Sequence, residues 1–206
     1  MQDNKRSVFL YGAWKNNLGD DLFLKVITQR YPDCTFHVLV NKKYIGAYSE
    51  MNNLVVHRKN GRFTRMLNAL SRRLNMPDYI FLKMSKLASV VILLGGSLYQ
   101  QENNWKKLYS ERLKMIGLFD GAFAIGNNFG PSSDPEFINC YKDFFRELND
   151  VCFRDRQSQM LFPYDNVRAA SDIIFGIDSY YTDKASQAID VRHEKPYAVV
   201  SVIDLL

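Results

Sequence analysis

The feature that most constrains this chain is residues 89–94, Ser-Val-Val-Ile-Leu-Leu, followed directly by Gly95-Gly96-Ser97. The run is apolar without alternation. A strand of that kind needs cover on both faces, as in the middle of a parallel sheet. The flanking sequence supplies the rest of such a sheet. Residues 7–11, 36–40, 54–57, 121–126, 151–153 and 167–170 read as further strands. Between them, residues 18–30, 62–74, 78–87, 104–113, 135–148 and 157–162 read as helices. Leu22, Leu24, Val26 and Ile27 supply the apolar face of the first helix. Pro77 is placed to start the third, and Asp134 caps the fifth with Pro135 at its first position. Strands alternating with helices predict an α/β fold: a doubly wound, mainly parallel sheet with helices on both faces.

Residues 1–180 read as this domain. Residues 181–195 are polar and turn-rich, like a linker. Residues 196–206 begin another strand with no crossover helix behind it, so a second domain is expected to follow; the alternative is that this strand pairs with the edge of the first sheet.

Hydrophobic residues make up 47% of the 206, which excludes wholesale disorder. The 12 Tyr and 14 Phe either fill the core or line a sugar cleft. The formal net charge of +5 is mild. No helix or strand carries a basic stripe with interleaved aromatics, so nucleic acid is not an expected partner. The densest basic stretch, Arg58, Lys59, Arg62, Arg65, Arg72 and Arg73, is either a solvated helix face or a membrane-surface patch. The second reading rests on Phe63, Met66, Leu67 and Leu70, which recur at helical spacing opposite those charges. Cys34, Cys140 and Cys152 are odd in number and far apart, and read as buried free thiols rather than a disulfide framework or zinc site. Nothing resembles a signal peptide or a membrane span, and a cytoplasmic protein, peripheral at the inner membrane face, is expected.

Ligands of doubly wound sheets bind at the carboxyl ends of the strands. Four loops there carry chemistry. Asn17-Leu18-Gly19-Asp20-Asp21 opens the first helix; one of the two aspartates can cap it, and the other is spare for sugar hydroxyls or general-base work. Gly95-Gly96-Ser97 lets backbone approach a ligand and offers Ser97 as a cap or phosphate contact, without the spacing of a dinucleotide fingerprint. Gly126 with Asn127, Asn128 and Gly130-Pro131 is either a plain turn or a site where amides meet a polar ligand. Arg154-Asp155 is either a capped helix start with a paired arginine or a carboxylate- or phosphate-binding fork. His37, His57 and His193 read as structural, and no catalytic triad or metal constellation emerges.

In order and spacing these loops resemble the polysaccharide pyruvyl transferase family. The resemblance is carried by residues 17–21, by Ile92-Leu93-Leu94-Gly95-Gly96-Ser97-Leu98, by Gly126 with Gly130-Pro131, by Arg154-Asp155 with Ser158, and by Ser171-Asp172 with Phe175. The chain departs from the family pattern where Leu94 takes the place of a glycine, Gln101 that of an acidic residue, and Asn127-Asn128 that of a Gln-Gly type pair. The resemblance implies the Rossmann-like N-terminal half of a GT-B-type enzyme. It implies transfer of a pyruvyl group from phosphoenolpyruvate to a sugar of a capsule, cell-wall or exopolysaccharide unit, with no other cofactor and no metal. The acceptor would be a sugar or a lipid-linked saccharide, with a membrane surface as a further partner. Asp20 and Asp21 are the catalytic candidates. Asn17, Gly19, Gly95, Gly96, Ser97, Gly126, Asn128 and Arg154 are the substrate-binding ones. The catalytic histidine and the donor-binding arginines are expected in a C-terminal domain, so residues 1–206 alone are expected to be inactive. Two other readings remain: a GT-B glycosyltransferase using a nucleotide sugar, and a non-catalytic module of the polysaccharide machinery.

Overall fold

The computed structural model describes residues 6–15, 17–48, 51–96 and 98–176. The linker and final strand read over 181–195 and 196–206, together with the end of the first domain, Ser97 and His193, lie outside the described residues.

Among the described residues, seven strands form a single parallel sheet. They are β1 (Arg6–Tyr11), β2 (Cys34–Val40), β3 (Leu54–Arg58), β4 (Val90–Leu94), β5 (Gly121–Asn127), β6 (Asp150–Phe153) and β7 (Val167–Ala169). Their order is β3-β2-β1-β4-β5-β6-β7. The chain winds outward from β1 to β3, crosses back, and winds outward the other way from β4. The order therefore reverses between β1 and β4, whose register runs Val8↔Val90 to Tyr11↔Leu93. This is the Rossmann-like doubly wound arrangement, in which the reversal is where ligands generally bind.

Among the described residues the α-helices are α1 (Leu18–Arg30), α2 (Arg62–Arg73), α3 (Tyr79–Ser85), α4 (Trp105–Ile116), α5 (Pro135–Arg146) and α6 (Arg156–Leu161). Successive residues of the central strands feed opposite cores, as the pleat demands. Phe9, Val91, Leu93, Ala122 and Ala124 pack with Met84 of α3, Met115 of α4 and the aromatic face of α5, Phe137, Tyr141, Phe144 and Phe145. Leu10, Val38 and Leu94 pack on the other face with Phe23, Leu24 and Ile27 of α1. Burial of β4 on both faces is what its unbroken apolar run demanded. Most of the aromatic residues serve the first core: Phe145 lies 4.7 Å from Phe162 and 4.9 Å from Tyr99, centroid to centroid.

Several elements differ from expectation. A 3-10 segment, Lys42–Tyr48, occupies the link between β2 and β3. Pro77 precedes the N-cap Asp78 instead of starting α3. α4 runs on to Ile116 because Met115 and Ile116 are both buried, and it stops at Gly117. On α1, Phe23 takes the buried position and Leu22 is only half-buried. Of the thiols only Cys152 is buried; Cys34 and Cys140 are half-buried. Among the described residues, no helix is long and apolar enough to cross a membrane.

Candidate functional site

The loops after β1, β4, β5 and β6 meet at the carboxyl edge beside the β1–β4 reversal. Those after β4, β5 and β6 are joined largely by main-chain hydrogen bonds. The amide of Asn128 donates to the carbonyl of Gly96 at 3.0 Å, that of Arg154 to Asn127 at 2.9 Å, and that of Gly130 to Tyr99 at 2.8 Å. The side-chain amide of Asn127, itself fully buried, donates to the carbonyl of Gly95. These bonds carry the sheet's parallel pairing past the strand ends, as the bridge between Tyr99 and Phe129 shows.

At the start of α1, neither aspartate is the cap. Asn17 takes that role: its side chain accepts from the amide of Gly19 at 3.3 Å. Both carboxylates are thereby released from capping. Asp21 accepts a hydrogen bond from the hydroxyl of Tyr48 at 2.7 Å, and Tyr48 is almost completely buried. Asp20 lies against the glycine loop, where a Cβ added to Gly95 would come within 3.3 Å of its Oδ1. Burial raises the Asp20 pKa above the ordinary carboxylate value, and the neighbouring Asp21 raises it further; Lys15 and Arg154 oppose both. A carboxyl raised in this way is a stronger base when ionised.

Gly95 adopts φ +116°, where any side chain is strained. Gly96 is required for space instead. A Cβ there would sit 2.8–2.9 Å from three atoms of the Arg154 guanidinium. Arg154 is held in that position by Asp172, Nη1 to Oδ2 at 3.1 Å, and by Asn128, Nη2 to Oδ1 at 2.9 Å. It does not pair with Asp155, which caps α6 by accepting from the amide and hydroxyl of Ser158 at 2.7 and 2.8 Å. The Ser158 hydroxyl in turn accepts from the amide of Phe129 at 2.8 Å, tying the β5 loop to α6. The bonds to Asp172 and Asn128 use only part of the guanidinium's donor set.

The remaining candidates divide. Asn128 supports Arg154. Gly126, at φ +71°, sits at a β-bulge between β5 and β6 with Ile173 beside it, so its position is explained by backbone geometry. Gly19 has no described atom within 4 Å of where a Cβ would stand. Gln101 explains its own departure from an acidic residue: its amide oxygen accepts from the amides of Ser133 and Asp134 at 2.8 and 2.9 Å, work an amide does as well as a carboxylate. Tyr48 was missed, because the 3-10 segment that carries it has no helical or strand period. Asp172 stood in the resemblance without a role, since nothing in sequence links it to an arginine 18 residues earlier.

His37 and His57 face one another from β2 and β3, on the side of β1 away from β4, with Nδ1 and Nε2 2.9 Å apart. Among the described residues, no cluster of His, Cys, Asp and Glu is arranged to hold a metal ion.

A parallel sheet whose order reverses beside a carboxyl, a guanidinium and a glycine loop defines a Rossmann-type α/β domain. The family model for polysaccharide pyruvyl transferase matches residues 17–204, nearly the whole chain, and the chain belongs to that family of transferases. No curated protein and no solved structure matches it.

Proposed function

We propose that this protein transfers a pyruvyl group from phosphoenolpyruvate to a saccharide of a capsule, cell-wall or exopolysaccharide unit, and that the carboxyl edge beside β1 and β4 receives the acceptor. The observation that carries the reading is Asp20: a carboxyl with a raised pKa, released from helix capping and set against Gly95 at the point where the strand order reverses. Family membership supplies the reaction class.

In a balanced ketal-forming transfer, two acceptor hydroxyls bond to C2 of the enolpyruvyl group. The C2–O bond to phosphate breaks, one hydroxyl proton ends on C3, and the other leaves with phosphate. Asp20 is the base that takes the proton from the attacking hydroxyl. Asp21, oriented by Tyr48, holds the acceptor through hydrogen bonds, with Asn17 and Gly19 beside it. Arg154, fixed over Gly96, offers its remaining donors to an anionic group. The acid for C3 and the cations for the phosphate are groups other than these. The working place in this reading is the inner membrane face, where lipid-linked saccharides are presented.

The test is transfer by the intact protein with phosphoenolpyruvate and saccharide acceptors. Phosphate release matched by a new ketal methyl resonance is expected. Calorimetric affinity for nucleotide sugars with none for phosphoenolpyruvate would assign the protein to nucleotide-sugar glycosyl transfer instead. Unchanged activity in Asp20→Asn with loss of partner association would make the site a binding module.

A further inference from the structure

α2 packs the wrong way round for a helix of its pattern. None of its residues is buried. Its half-buried positions are Thr64, Leu67, Asn68 and Ser71, three of them polar. Asn68 anchors this side by accepting from the amide of Ile80 at 3.2 Å. A neighbouring stripe, about a quarter turn round the helix from this side, is apolar and faces solvent: Phe63 is 65% exposed, Met66 60%, Leu70 53% and Leu74 62%. At i, i+3, i+7 and i+11 these four form one continuous line along the helix.

The surroundings of the stripe are cationic. Arg62, Arg65 and Arg73 are exposed on the helix, with Lys59 just before it. Residues 51–77 contain no Asp or Glu. Arg72 is set apart from this group by its two-pronged bond to Asp78 at 2.7 and 2.6 Å.

We infer that α2 docks in the plane of an anionic lipid bilayer, with Phe63, Met66, Leu70 and Leu74 in the headgroup–acyl boundary and the arginines on lipid phosphates. The inference rests on the proposed membrane-side acceptor for its purpose, and on the helix itself for its evidence. Twelve residues span about 18 Å, too short to cross a hydrocarbon core of about 30 Å, so the helix lies flat. A second copy of this surface would set arginine against arginine across a twofold axis, whereas lipid phosphates complement the charge. Placement also fits. β3 ends at Arg58 and α2 begins at Arg62, at the same sheet edge as the candidate site. β3 is two strand spacings from β1, roughly 10 Å. A bilayer under α2 therefore borders the edge that would receive a lipid-linked saccharide.

The test is co-sedimentation of the 206-residue chain with vesicles of phosphatidylcholine alone and of phosphatidylcholine with phosphatidylglycerol. Binding to the anionic vesicles only is expected, weakening as salt is raised. Phe63→Ser with Leu70→Ser, and separately Arg62→Glu with Arg65→Glu, should each lower partitioning about tenfold or more. All four positions are exposed, so the melting temperature should hold and show that each variant is folded. No binding to anionic vesicles, or variants that bind like the parent, would overturn the inference. So would a dimer in sedimentation velocity that the serine variant turns to monomer. Transfer to a soluble, lipid-free acceptor separates the two proposals: it is unmoved by these variants, and its absence in a vesicle-binding protein counts against the proposed reaction alone.

Discussion

The guanidinium of Arg154 lies so close over the backbone of Gly96 that a single added methyl group would meet its Nη2 at 2.8 Å. Because Asp172 and Asn128 hold Arg154, it cannot retreat without breaking a salt bridge and a hydrogen bond. Gly96→Ala is therefore expected to destabilise the protein by about 1–3 kcal/mol and to weaken ligand binding. The double variant Gly96→Ala with Arg154→Ala should lose less than the sum of the two single changes. A double-mutant cycle in urea reads this coupling, and strict additivity would show that the contact carries no energy.

Asp20 and Asp21 should separate in kinetics. Asp20→Asn removes the proposed base and should lower kcat by about 10²–10⁴-fold. Asp21→Asn keeps an oxygen for Tyr48 and should cost about fivefold or less, mainly in KM. The base works ionised, so the rate should climb with pH through an inflection above the ordinary carboxylate range, because burial raises the Asp20 pKa. That acid limb should vanish in Asp20→Asn. Equal losses in the two variants would refute the assignment.

The His37–His57 contact makes stability depend on pH. At 2.9 Å one nitrogen must donate and the other accept, so the pair tolerates a proton between the rings but not one on each. Burial lowers the pKa of both; His37 and Lys83 lower that of His57 further. With folded values below the unfolded value of about 6.5, the unfolded chain binds more protons. Their contribution is thus complete above the unfolded value and is lost as pH falls through it towards the folded values. Urea midpoints should drop on acidification, and His57→Gln should flatten that drop. A profile unchanged by His57→Gln would remove the pair as its cause.

Ser158→Ala should cost about 1–3 kcal/mol, because it strands the amide of Phe129 and deprives Asp155 of a donor in a nearly closed environment. Calorimetry should show the melting temperature fall by about 2–4 °C per kcal/mol.

Elements governed by local periodicity were legible. α1 begins and ends where its pattern does, at Leu18 and Arg30, and Asp134 caps α5, accepting from Glu136 at 2.8 Å. The central place of β4 followed from an apolar run that only two-sided cover can satisfy. Strand order was not legible, since pairing joins residues with no local signature. The cap of α1 was misassigned because three acceptors stand close together at 17, 20 and 21, and only backbone direction selects the first. The partners of Asp21 and Arg154 lie 27 and 18 residues away. For α2 the amphipathic pattern was visible, but not that its polar side would be the one facing the protein.

The rim formed by the loops after β4, β5 and β6 has an evolutionary consequence. Its cohesion comes largely from peptide groups, through Asn128 to Gly96, Arg154 to Asn127 and Gly130 to Tyr99. Peptide groups are the same in every residue, so selection can exchange side chains along this wall without dismantling it. Related chains can then diverge in which saccharide they accept while inheriting the same scaffold, and variation should concentrate in exposed rim side chains while Gly95 and Gly96 stay fixed.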